Sequence, residues 1–519
     1  MTAATQVPVQ PQAPRAASAA PLTVARLLRL ELRHNAMPWF LPLIAALLWV
    51  DSYRPSVTQS PVWILRTYWN MGQGHTIVDF GPFVAGVAAW MGSRDGRRAM
   101  GDLVTATARP RWAAQLVTWA ATAIWAVGAY LVFVGAMFAV YAHQGVQGTP
   151  PWWWVAVGAA AVAAFSAAGF AVGALFPSRF AAPLAAFGGF LAIMLSSQAG
   201  FRDTSGWALI LPTNSNSNYE PASGIFYPFL PDLPIARIMF LAGLAVAALG
   251  LLGLPARAGG PRLRRSAAVI TVAGVAAAGT AAGLATTARM GPHGMVIAAL
   301  HDAASDQPIR YTPVCGHAAG IPVCLNPAYR RYLPDVTAAL RPVLSEVAGL
   351  PGAPARAAQA AAPYTVGEGE GDMTFTLGGR PPVLRMPLGA LSLPGTSAFS
   401  TSVTTAADFD GQARLLAVHA FVGAGASAGT PAQQAVQAAL LRGAGLTYAA
   451  QIQALGNVGV PWLYFVNGNQ PGNVPLSARG PVYAAAGRLA ALPAAARHAW
   501  LTSHLAALRA GQLTLAQLP

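Results

Sequence analysis

The chain has 519 residues, of which 55% are hydrophobic and only 9% charged, and its net charge is +15. Soluble domains carry about 25% charged residues, so this composition excludes an ordinary soluble fold. All 32 basic residues are arginine, since no lysine occurs, which also excludes a lysine-dependent phosphate loop and a lysine Schiff base.

Residues 1–21 are rich in Ala, Pro and Gln and have little to bury, so they are expected to be a disordered cytoplasmic tail. They lack the apolar core and cleavage site of a signal peptide. Residues 22–35 follow. On a helix, Arg26, Arg29 and Arg33 form one narrow stripe, and Val24, Leu27, Leu28 and Leu32 lie on the other side. That is the pattern of a helix lying in the membrane interface, although Glu31 falls on the apolar side. A plain extension of the first span is the competing reading.

Seven apolar stretches come next, at 37–53, 77–92, 113–143, 152–176, 181–200, 235–254 and 267–288. A helix needs about 20 apolar residues to cross the hydrocarbon core. The third, fourth and sixth meet this plainly, the first and second are short, and the seventh is built mainly of Ala, Gly and Thr. The intervening pieces alternate in arginine. Arg15, Arg26, Arg29 and Arg33 precede the first span, Arg94, Arg97, Arg98, Arg109 and Arg111 follow the second, and Arg179 follows the fourth. Arg257, Arg262, Arg264 and Arg265 stand in a basic loop, 255–266, after the sixth. The opposite set holds only Arg54, Arg66, Arg202 and Arg237. By the positive-inside bias the N-terminus is cytoplasmic and residues 289–519 are external. The expected fold is thus a polytopic α-helical membrane protein of about seven spans. It carries a C-terminal extracytoplasmic α+β domain in which helices dominate. Its setting would be the bacterial inner membrane. This topology accounts for the basic charge, much of it facing anionic lipid, better than nucleic acid does.

The loop between the second and third spans is the richest in signals. Arg94, Asp95, Gly96, Arg97 and Arg98 form a charged knot. Met100, Asp102 and Leu103 follow in a short helical piece, with Val104 beside them, and Thr105 and Thr107 then lead to Arg109-Pro110-Arg111. A compact segment between two spans can transmit force, because it cannot move without tilting both. A simple solvated loop that sets orientation is the competing reading.

An in-plane helix and six spans (36–254), with this loop after the second, resemble the membrane subunit of type-2 ABC exporters. Asp95-Gly96, Asp102-Leu103, Thr105 to Thr107 and Arg109-Pro110-Arg111 match that family's loop in order, and the likeness covers roughly residues 22–254. The resemblance implies that residues 94–111 dock on a separately encoded P-loop ATPase and that the permease works as a homodimer or heterodimer. ATP would then be used by the partner, with no cofactor bound by this chain.

Residues 201–234 carry Phe201, Trp207, Tyr219, Phe226, Tyr227 and Phe229, as expected of a segment at headgroup level. No charge sits in the middle of any span, with Asp79 and Arg237 nearest, both toward the outer end. An ion-coupled carrier is therefore disfavoured, and an apolar, lipid-like or amphipathic cargo fits better.

In the C-terminal part, Asn326-Pro327 reads as a helix cap. The stretches 334–349, 408–422, 431–443, 482–491 and 494–509 read as helices, the last closed by Gly511. Residues 372–377 and 383–388 could pair across Gly378-Gly379-Arg380. Cys315 and Cys324, the only cysteines, would form a disulfide outside the cell. A zinc set of Cys315, His317, Cys324 and His301 is the sharper alternative. The start of a calcium loop at Asp408 to Gly411 lacks its closing Glu. Neither H-E-x-x-H nor G-x-S-x-G occurs, and no convergent catalytic set is visible, so no enzyme activity is expected. Against the transport reading stands a membrane-anchored external binding or sensor protein.

Overall fold

The computed structural model describes residues 23–52, 61–63, 75–97, 110–202, 210–211, 224–255, 260–291, 294–361, 375–388, 393–395, 405–423, 429–446 and 481–519. Helices dominate. Those of the first half are α1 (Val24–Arg33), α2 (Met37–Ser52), α3 (His75–Gly92), the single turn α4 (Arg94–Arg97), α5 (Arg111–His143), α6 (Trp152–Leu175), α7 (Ala181–Arg202), α8 (Asp232–Leu251) and α9 (Gly260–Thr286).

Among the described residues, α5, α6, α8 and α9 are each long and apolar enough to cross a membrane. Shorter apolar helices occur at Met37–Leu47, Phe80–Gly92 and Ala181–Leu195. The helix α9 starts at Gly260, ahead of the expected Ala267, so Arg262, Arg264 and Arg265 lie on its exposed first turns rather than in a loop. Arginine is a good helix former and leaves its head in solvent, so an exposed turn accepts it without cost.

The helix α6 is the hub, packed against α3, α5, α7 and α8. Its approach to α3 depends on two glycines. A Cβ at Gly169 would overlap the Ala85 carbonyl, and one at Gly173 the Ala89 carbonyl. Gly169 and Gly173 are thus a small-residue pair in use, letting two backbones touch. The similar pair Gly279 and Gly283 has nothing within 4 Å. Gly243 and Gly274 bring α8 and α9 together in the same way. Large apolar side chains such as Val132, Phe187 and Val272 remain exposed on the outside of the bundle.

The second half begins with a two-stranded ribbon, β1 (Arg289–Gly291) with β2 (Gly294–Val296). A five-stranded mixed sheet follows, built from β3 (Val314–Ala318), β4 (Ile321–Leu325), β5 (Arg356–Gln359), β6 (Thr376–Gly378) and β7 (Val383–Met386) in the order β3-β4-β5-β7-β6. Strands β3 and β4 form a hairpin whose central residues, Ala319 and Gly320, both have positive φ, the backbone a two-residue turn requires. Strand β5 pairs in parallel with both β4 and β7, and β6 pairs antiparallel with β7. A parallel neighbour needs a crossover, and α10 (Leu333–Val347) provides it between β4 and β5. Asn326 caps the short helix that precedes it, accepting from Ala328 N at 3.0 Å.

The remaining helices are α11 (Ala406–Val422), α12 (Pro431–Gly443), α13 (Pro481–Ala491) and α14 (Ala494–Arg509). Thr430 and Gln433 cap the start of α12 reciprocally. One continuous core joins these elements. Ile321, Val323 and Leu325 point inward from β4 and meet Val336, Leu340 and Val343 of α10 and Leu416 and Leu440 of α11 and α12. The same core takes in Val62, Ile225 and Phe226 from the first half.

Candidate functional site

The expected coupling segment opens where α3 ends. Ser93 closes the helix through its N–H to Ala89 O at 2.9 Å, and α4 makes one further turn. Arg94 reaches back to α1 and donates two bonds to Glu31, at 2.9 and 3.1 Å. The Glu31 carboxylate raises the Arg94 pKa above its ordinary value, chiefly through this hydrogen bonding, against a smaller desolvation effect. Asp95 lies 3.6 Å from the same guanidinium. Glu31, out of place on the apolar side of α1 by pattern alone, thereby has a structural reason.

Arg97 folds over Trp90, with its guanidinium 3.4 Å from the ring centroid, and donates to Trp90 O at 2.9 Å. At Gly96 a Cβ would overlap the ring of Pro177, so α4 rests directly on the turn between α6 and α7. Arg111 is the exposed first residue of α5. Of the other residues expected in this segment, Arg98, Met100, Asp102, Leu103 and Arg109 lie outside the described residues, as does the tail 1–21. The side chain of Asp79 does too.

Three further contacts tie this end together. Trp125 of α5 donates to Leu32 O at 3.0 Å. Asn35, buried between α1 and α2, donates to Thr122 Oγ1 at 2.9 Å and accepts from Met37 N at 2.9 Å. Trp112 donates to Leu249 O at 2.9 Å and its ring lies 3.2 Å from a Cβ built at Gly253. The end of α1, the turn α4, the starts of α5 and α9, and the ends of α6 and α8 therefore meet at one pole, where the arginines cluster. Sequence reasoning missed Glu31, Asn35, Thr122, Trp112 and Trp125 as parts of it.

The opposite pole joins the helices to the C-terminal domain. Gln147, just past α5, donates from its N–H to Pro61 O at 3.0 Å, and Thr149 N to Gly224 O at 3.1 Å. Ile309 N donates to Phe226 O at 2.7 Å, and the Phe226 and Tyr311 rings meet edge-on at 5.7 Å. Asp232, the fully buried first residue of α8, accepts from Ile297 N at 2.9 Å and pairs with His301 at 3.2 Å. Arg237, expected near the outer end of its span, is wholly buried in α8 beside the Trp154 ring at 5.4 Å.

Cys315 and Cys324 stand opposite each other on β3 and β4 and are joined as a disulfide, with Cα atoms 4.1 Å apart. With both sulfurs engaged, the alternative zinc set loses two ligands. Among the described residues no three His, Cys, Asp or Glu side chains are grouped to hold a metal ion. Asp410 pairs with Arg414 at 2.9 Å along one helix face, so its carboxylate is occupied structurally. No protein family, curated protein or solved structure matches this chain.

Proposed function

We propose that this chain is the permease subunit of an ATP-driven exporter, coupled to a separately encoded ATPase through residues 94–111. The observation that carries this reading is the Glu31–Arg94 bridge. Together with Trp125 on Leu32 and Gly96 on Pro177, it makes the turn α4, where the segment begins, a braced lever. A load on α4 is passed directly to α1 and the α6–α7 turn, and through α1 to α5. A solvated loop that merely sets orientation has no need of such bracing.

Seven spans in the bacterial inner membrane, with the arginine-rich pole cytoplasmic, are part of the proposal. The two poles support it, since α5, α6, α8 and α9 have their ends alternately at one and the other. The exposed apolar faces suit surrounding lipid and a second permease subunit, whether a copy of this chain or a homologue. An apolar or amphipathic cargo agrees with α8, whose charged groups, Asp232 and Arg237, stand toward one end.

The test is affinity purification of the tagged full chain from its native membranes in mild detergent, with Arg97→Glu/Arg98→Glu as the control. A stoichiometric P-loop ATPase that is lost in the control supports the proposal. Absence of any ATPase from a folded preparation refutes it. One feature favours the competing reading of an external binding module. The Gln437 amide is buried in α12, and neither its Nε2 nor its Oε1 has a hydrogen-bond partner among the described residues. Polar groups left open in a core invite a polar ligand or bound water.

A further inference from the structure

The junction between α8 and the C-terminal domain contains a three-member cluster whose hydrogen-bond bookkeeping depends on protonation. His301 Nδ1 lies 3.2 Å from Asp232 Oδ2, and His301 Nε2 lies 3.0 Å from Asp306 Oδ2. Both ring nitrogens therefore face carboxylate oxygens. An ionised carboxylate only accepts, and a neutral imidazole has a single N–H. The two gaps together need two protons, one in each, and the imidazolium supplies both. A neutral ring leaves one gap with two lone pairs facing each other.

The members belong to different parts of the molecule. Asp232 is the first residue of α8 and is completely buried, whereas His301 and Asp306 lie in the segment between β2 and β3. Asp232 Oδ2 also accepts from Ile297 N, directly after β2, so the same oxygen holds both the backbone and the ring of that segment. Its other oxygen, Oδ1, is buried without a hydrogen-bond partner, so Oδ2 carries the whole attachment. Asp306 is 40% exposed, which gives a proton a route to the ring. The other charged groups nearby are engaged elsewhere. Asp302 accepts from Ala304 N at 3.0 Å, and Arg237 lies beside Trp154.

We propose that His301 is a proton-operated latch, which fastens the C-terminal domain to the start of α8 when its ring carries two protons and loosens it when it carries one. The latch works in the same way whether or not the helices transport a cargo. It makes the junction responsive to pH on the side of the membrane that holds this domain. The direction follows from linkage. The histidine pKa is raised, first by the hydrogen bond to Asp306 and also by the two carboxylate charges. A raised pKa means the contribution is complete below the ordinary value of about 6.5 and is lost as pH rises through the folded value.

Hydrogen exchange of the purified full chain in detergent tests this, read on peptides covering 294–301 and corrected for the intrinsic pH dependence of exchange. Protection is expected to fall as pH rises above about 6.5, by up to about tenfold per pH unit for one proton. In His301→Gln the fall disappears. In Asp306→Asn it ends at a lower pH and is smaller, because the strongest cause of the raised pKa is gone. A flat wild-type profile overturns the proposal, and so does the same fall persisting in His301→Gln. Should His301→Gln not fold, the half-exposed Asp306→Asn decides. A downward shift supports the latch, and an unmoved transition overturns it.

Discussion

Replacing Glu31 with Gln should loosen α1 from the turn α4 while leaving both in place. The substitution keeps shape and one hydrogen bond but removes the charge that Arg94 holds at 2.9 and 3.1 Å. Fully exposed pairs contribute about 0–1 kcal/mol and charge-assisted hydrogen bonds about 1.5–3 kcal/mol. The two side chains are 24% and 14% exposed, between those limits, so the loss should be about 1–2 kcal/mol. That raises the local opening constant by about 5–30-fold. Trp125 on Leu32 and Asn35 on Thr122 remain, so global unfolding should not follow. Hydrogen exchange on peptides covering 24–34 and 90–97 reads both sides of the bridge at once. A cycle of Glu31→Gln, Arg94→Gln and the double variant isolates the pair itself. A coupling below about 0.3 kcal/mol, or unchanged protection on either side, would refute the braced-lever argument.

Three further outcomes follow from packing and pairing. Gly169→Leu or Gly173→Leu should abolish the monodisperse folded protein or cost about 3 kcal/mol or more, since backbone carbonyls block the space, whereas Gly279→Leu should leave the melting temperature unchanged; size-exclusion thermostability separates them, and equal behaviour would contradict the packing described. Glu346→Ala strips Arg497 of a carboxylate bonded at 2.7, 3.0 and 3.1 Å, leaving that buried guanidinium only two carbonyls at 3.3 Å. It should destabilise the C-terminal domain by about 2–4 kcal/mol in denaturant titration, and a loss under about 1 kcal/mol would count against it. Cys315→Ser/Cys324→Ser should lower the stability of the same domain by about 2–3 kcal/mol, with dithiothreitol reproducing the effect on the unsubstituted chain but adding nothing to the variant.

Local features were readable in the sequence to the extent that their causes are local. The helix Pro431–Gly443 begins at a proline behind a Thr cap, and Ala494–Arg509 ends before Gly511, whose φ is +69°; both follow from neighbouring residues alone. The pairing of β6 with β7 was likewise legible across its glycine turn. The parallel insertion of β5 between β4 and β7 was not, because a crossover helix does not say which strands its successor will pair with. At the candidate site the charged knot around Arg94 stood out, but its partner Glu31, 63 residues away, showed only as a charge on the wrong side of a helix. His301 and Asp232 are 69 residues apart, and nothing near either one announces the other. A helix used as a hub, such as α6, is equally hard to read, since its near-uniform apolar surface carries no face by which neighbours can be assigned.

The core shared by the two halves constrains the order in which the molecule can be made. Val62, Ile225 and Phe226 belong to the connections between helices, and all three are synthesised before the domain whose interior they help fill. The domain therefore finishes folding on a platform that earlier parts of the chain must already have delivered to the same side. Residues 289–519 are synthesised after these three, so on the proposed topology their core closes only where all three stand on one side. On that topology a chain with one helix threaded in the wrong sense would present the platform on the wrong face and leave an apolar gap in this core.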